Sequence, residues 1–114
     1  MSNLYELIER LKKRPGMYLG KASIIRFKSF LDGYVGARND FGFPLTQDEQ
    51  KFNQFQEWIQ ERFKITSSHS WADIILFYSQ DERDALKQFF ELFEEFRNRE
   101  TVLISQMNNK VVEG

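Results

Sequence analysis

The chain has 114 residues, of which 41% are hydrophobic and 29% charged, with no cysteine and one histidine. That length supports one core and not two, and the absence of thiols excludes disulfides, thiolate metal sites and a cysteine nucleophile together. Net charge is −1, but residues 1–40 carry eight Lys and Arg against four Asp and Glu, while residues 41–114 carry eight against thirteen.

No run approaches the roughly 18 apolar residues needed to cross a bilayer. Met1 to Glu6 lacks the basic-then-apolar order of a signal peptide. A cytoplasmic protein is expected.

Asn3 with Glu6 three residues later forms a capping box. Leu4, Leu7, Ile8 and Leu11 follow at the spacing of one helical stripe. Arg10, Lys12, Lys13 and Arg14 complement the C-terminal dipole of that helix, and Pro15 should end it. Pro15, Gly16, Met17, Tyr18 and Gly20 are read as a structural loop, with Met17, Tyr18 and Leu19 anchored against the core. A binding loop is the alternative. A second helix is expected from Ala22 or Ser23 to about Arg38, with Ile24, Phe27, Leu31 and Tyr34 inward. Gly33, Gly36 and Ala37 offer a groove for another backbone, or a ligand notch.

Asn39 to Pro44 is dense in turn formers. Thr46 and Glu49 cap a third helix, with Phe52, Phe55, Ile59 and Phe63 on one face and Trp58 at its edge. Ser70 and Asp73 cap a short segment, Trp71–Tyr78. Ser79 and Glu82 start the longest helix, which is expected to end near Arg99. The fold class is therefore mostly α, a single domain over 1–107 of about five helices around a Phe-rich core. The alternative is an α+β fold pairing strands at 74–78 and 102–104, and 108–114 is expected to be a flexible tail.

Chemistry is sparse. His69 lies among Ser67, Ser68 and Ser70, with Asp73 nearby, but no G-x-S-x-G elbow accompanies them. One histidine without cysteine makes a poor zinc site. The acids lack both the calcium-loop spacing and the Glu-x-x-His of di-iron bundles. No catalytic, cofactor-binding or metal-binding residue is assigned, and the chain is not expected to be an enzyme.

Lys13-Arg14-Pro15-Gly16-Met17-Tyr18-Leu19-Gly20 resembles the K-R-P-G-M-Y-I-G segment near the start of the ATPase domain of type II topoisomerases, such as the DNA gyrase B subunit. In that family the following helix bears a Glu and, four residues on, an Asn that engage Mg-ATP. Here the corresponding helix has Asp32 as its only acid inside Ala22–Arg38, so ATPase activity does not carry over. Across residues 4 to 97, the order R-P-G-M-Y-L-G, F-L-D-G-Y, F-x-x-W-I, Ser-Trp and F-F-E-L-F-E-E-F is similar to small bacterial proteins associated with immunity to polymorphic toxins. That resemblance implies a protein that covers a partner's active surface without catalysis.

The expected function is a non-catalytic protein-binding module, immunity-like or regulatory, with a basic protein as partner. The expected contact residues are Trp58, Asp81, Asp84, Glu91, Glu94 and Glu95. Two alternatives are kept. One is a nucleic-acid-associated module using Arg10, Lys12, Lys13, Arg14, Lys21, Arg26 and Lys28, with a pI near 5.9 against it. The other is a small hydrolase built on the His69 loop. Oligomeric state is not readable from the sequence.

Overall fold

A computed structural model describes the backbone of residues 3–113, and the side chains of residues 3–99, 102, 106 and 107. Helix α1 (Leu4–Lys13) starts where the capping box places it, with Asn3 Oδ1 accepting the Glu6 N–H at 2.9 Å. Leu4, Leu7, Ile8 and Leu11 are all buried, as one apolar stripe requires. A second acceptor comes from far along the chain, since Asp48 Oδ2 takes the Tyr5 N–H at 3.2 Å.

The segment after α1 corrects the sequence reading. Pro15 opens a new helix, α2 (Pro15–Leu19), and does not lead into a loop. Proline suits a first helical position, where its missing N–H would have had no partner. Gly20 closes α2 at φ 82°, and its N–H reaches Gly16 O at 2.9 Å. Leu19 is buried and Tyr18 is half-buried, edge-on to Phe30. Met17, expected as an anchor, is 68% exposed, because a single turn of helix cannot face three successive side chains to one side.

Helix α3 (Ile24–Asp40) is capped by Ser23, whose hydroxyl accepts the Arg26 N–H. Gly33 and Gly36 lie on its exposed side, with nothing within 4 Å of where a Cβ would stand. The expected packing groove therefore holds no backbone among the described residues.

One helix was expected from Thr46 to Phe63, and two are found: α4 (Gln47–Phe52) and α5 (Phe55–Arg62). The Thr46 cap is present. At Asn53 and Gln54 the chain tightens, with the Gln54 N–H bonding Lys51 O three residues back. Phe52 and Phe55 flank the break with their rings stacked at 5.2 Å.

The segment 74–78 is helical: α6 (Trp71–Phe77) is capped by Ser70 as expected. Helix α7 (Glu82–Glu113) starts later than the Ser79 signal suggests. Ser79 Oγ instead donates to Ile75 O at the end of α6, and Asp81 Oδ1 accepts the Asp84 N–H at 2.8 Å. Nor does α7 stop near Arg99. Thr101–Ile104 is helical, and no strand occurs among the described residues. The β-branched residues there lower helix propensity by only tenths of a kcal/mol, and α6 leaves them no strand to pair with. The expected tail at 108–114 has helical backbone as far as Glu113, and Gly114 lies outside the described residues.

The chain is thus mostly α, as expected. Its described residues hold seven helices instead of five, because α2 is additional and the third expected helix is divided. Phe89 is the centre of the core, fully buried and touching the rings of Phe27, Phe52, Phe55, Trp71, Phe90 and Phe93 at 4.7 to 6.4 Å. The radius of gyration is 15.6 Å, against about 13 Å for a globular chain of this length. The excess reflects α7, whose 32 residues extend for about 48 Å.

Candidate functional site

The acidic residues expected on the longest helix divide into two groups. Asp81 and Asp84 are committed to starting α7. Asp81 caps it, and Asp84 Oδ2 accepts both the Gln80 N–H and the Gln88 amide at 2.9 Å. The Gln80 bond first, then that of Gln88, holds the Asp84 carboxyl below the ordinary aspartate range. Glu91, Glu94 and Glu95 are exposed. Glu95 pairs with Arg62 of α5 at 3.0 Å. Glu91 and Glu94 form no ion pair among the described residues, and they remain the open part of the acidic face.

Trp58 is half-buried. It stacks on Phe55 at 5.9 Å and meets Phe96 edge-on at 5.6 Å, so part of the ring serves the core. Trp71 is buried.

The basic residues of the first third are partly engaged. Arg26 Nη1 donates to Leu19 O at 2.8 Å and lies over Gly20. Lys28 pairs with Asp32 and Lys21 with Glu82. Arg10, Lys12 and Lys13 are exposed at the end of α1. A broad open hollow of about 560 Å³ beside them is lined by Glu6, Glu9, Asp48, Arg10, Lys13 and Arg97. Its signs alternate, and it presents no single charge to a ligand.

The loop between α5 and α6 is built with unusual care. Helix α5 ends in a Schellman motif, with the Ile65 N–H on Gln60 O at 2.8 Å and the Lys64 N–H on Glu61 O at 3.1 Å. The residue in the left-handed position is Lys64, φ 55°, where glycine is usual. Two glutamines of α5 then hold the loop. Gln60 donates to Ser67 O at 2.8 Å, while Gln56 donates to His69 O and accepts the Trp71 N–H.

Ser67 Oγ and His69 Nδ1 lie 2.8 Å apart. Asp73 lines a separate hollow together with Ser67 and His69, but no hydrogen bond joins it to His69 among the described residues. A nucleophile–base–carboxylate relay needs both contacts, and the Ser67–His69 contact also closes a two-residue turn through the His69 N–H. Among the described residues, no three His, Asp or Glu side chains converge to hold a metal, and no helix is long and apolar enough to cross a membrane.

That hollow is the feature the sequence reading missed. It measures about 280 Å³ and is walled by Ile65, Ile74, Phe77 and Tyr78, with Ser67, His69 and Asp73 at its polar margin. Phe77 is 80% exposed and Tyr78 50%. Tyr78 stacks on Phe63 at 5.0 Å, and Phe77 stands edge-on to Tyr78. A signal for it was present. At about 100° per residue, Phe77 lies roughly 200° round the helix from Ile75, which is fully buried. Arg62 and Phe63 are neighbours in sequence, and they touch Glu95 and Tyr78 respectively. The end of α5 thus contacts the acidic flank of α7 through Arg62 and the aromatic wall of the hollow through Phe63.

No protein-family model, curated protein or solved structure matches this chain.

Proposed function

We propose that this protein is a non-catalytic binding module that acts by covering a basic protein partner. The observation that carries the reading is the aromatic pair Phe77 and Tyr78, held exposed around an apolar hollow with the Asp73 carboxylate at its margin. Exposed aromatic side chains with one wet edge are the usual anchors of protein interfaces. A folded chain gains nothing by holding Phe77 in water. The similarity in motif order to immunity proteins of toxin systems supports the same mode of action in a bacterial cytoplasm.

The open acids Glu91 and Glu94 would steer such a partner. The test is to capture the partner from the native host, identify it, and measure its association with the E91K/E94K variant. Complementary charge acts mainly on the association rate. The variant should associate about tenfold more slowly at low salt, and the difference should close toward 1 M salt, where the Debye length is about 3 Å. An unchanged rate removes α7 from the interface.

The exposed Arg10, Lys12 and Lys13 favour a second reading, association with nucleic acid. Sub-micromolar duplex binding at physiological salt, lost on K12E/K13E, would replace the first reading with this one.

A further inference from the structure

We infer that the hollow between α5 and α6 is a pocket for one large apolar side chain presented on a Lys- or Arg-bearing segment of the partner. The inference rests on the protein-binding reading and names the chemistry of what is bound. Size comes first. About 280 Å³ lies at the lower edge of the roughly 300–1,000 Å³ of cofactor and small-molecule sites and is ample for one large side chain.

Preformation comes second. The Schellman turn at Lys64, the glutamine bonds to Ser67 O and His69 O, and the stacking of Tyr78 on Phe63 fix the walls before anything binds. Little ordering entropy then opposes binding. The left-handed Lys64 adds to this argument. Non-glycine residues in that conformation carry local strain and cluster at binding sites.

Charge decides the class of segment. Asp73 lines the hollow itself, and Glu57 and Glu61 line a second hollow that shares Ile65 with it. Against these three carboxylates, Lys64 is the one ammonium among the residues lining the two hollows. A basic flank on the incoming side chain is matched, and an acidic flank is repelled. The exposed faces of Phe77 and Tyr78 also attract cations.

The experiment uses the full chain, uniformly labelled with nitrogen-15, and three capped tripeptides followed by amide shifts. Acetyl-Lys-Phe-Lys-amide should move the amides of residues 63–78, with a dissociation constant of about 1–10 mM, as suits one side chain. Acetyl-Lys-Ala-Lys-amide and acetyl-Glu-Phe-Glu-amide should each bind at least about fivefold more weakly. Phe77 is exposed, so F77A should leave the fold intact and weaken the first peptide at least about fivefold. D73N should weaken it about threefold.

No saturable shifts in 63–78, or equal binding of the acidic peptide, would overturn the inference. The captured partner separates this inference from the broader reading. If it binds F77A as tightly as the native chain, the pocket is wrong and the binding module stands. If the basic peptide seats in 63–78 but the host yields no partner, the pocket stands and the binding module falls.

Discussion

Lys64 and Gly42 occupy the same place in two copies of one motif, and the comparison shows how backbone chemistry is spent in this chain. Helix α3 ends with the Phe43 N–H on Arg38 O and the Gly42 N–H on Asn39 O, Gly42 being at φ 78°. Helix α5 ends identically with Lys64 in the left-handed position. There a Cβ crowds the backbone and costs about 1 kcal/mol. K64G should therefore raise stability by up to about 1 kcal/mol in a urea titration, while the same change at an ordinary exposed lysine should not. G33A should also stabilise, by about 0.5–1 kcal/mol, because its site is helical and open. G20A should destabilise, since Gly20 is at φ 82°.

Asp84 supplies the pH dependence at this scale. Its carboxyl is held below the ordinary aspartate range by the Gln80 and Gln88 bonds. The folded value is lower than the unfolded one, so its contribution is complete above the unfolded value and disappears as pH falls through the folded one. Native and D84N stabilities should differ at neutral pH and converge in strong acid. A gap that widens on acidification would contradict this assignment.

At the scale of elements, helix starts were legible where a side-chain cap and a periodic stripe coincide. Asn3, Thr46 and Ser70 all cap as their sequence context predicts. Ser79 failed because its hydroxyl had a competing acceptor, Ile75 O, one helical turn back. Asp81, two residues on, carries a stronger acceptor and took the cap. The division of α4 from α5 was not legible, since Phe52, Phe55 and Ile59 keep one period across it. The joint between α3 and α4 depends on a long-range pairing that no local pattern announces. Glu49 is 4% exposed and accepts from Arg38 Nε at 2.7 Å, and Arg38 also donates to Pro44 O and lies over the Phe43 ring.

Removing one partner of a buried pair strands the other charge and typically costs 3–5 kcal/mol. Arg38 is partly open to water, so R38A should cost about 2–4 kcal/mol. The R38L/E49L double variant should recover most of that loss, because two apolar groups leave no buried charge behind. Equal stabilities for R38A and native protein would show that the pair does not hold the joint.

For the whole molecule, composition announced the aromatic core but not its centre. Phe89 was one of several phenylalanines on a stripe, and only the packing of α3, α4, α5 and α6 against α7 makes it the shared contact. F89A should cost about 3–5 kcal/mol. That is a large share of the roughly 5–15 kcal/mol that stabilises a domain, and the variant should melt far below the native chain or fail to fold.

The candidate surface was half legible for the same reason. Glu91, Glu94 and Glu95 could be placed outward from helical period alone. The aromatic hollow could not, because it needs the ends of α5 and α6 side by side. The measurement that bears most directly on the central claim is the footprint of the captured partner on the nitrogen-15-labelled chain. The account predicts amide shifts concentrated at residues 62–78 and on α7 around Glu91 and Glu94. A footprint centred on Arg10, Lys12 and Lys13, with residues 62–78 unmoved, would contradict it.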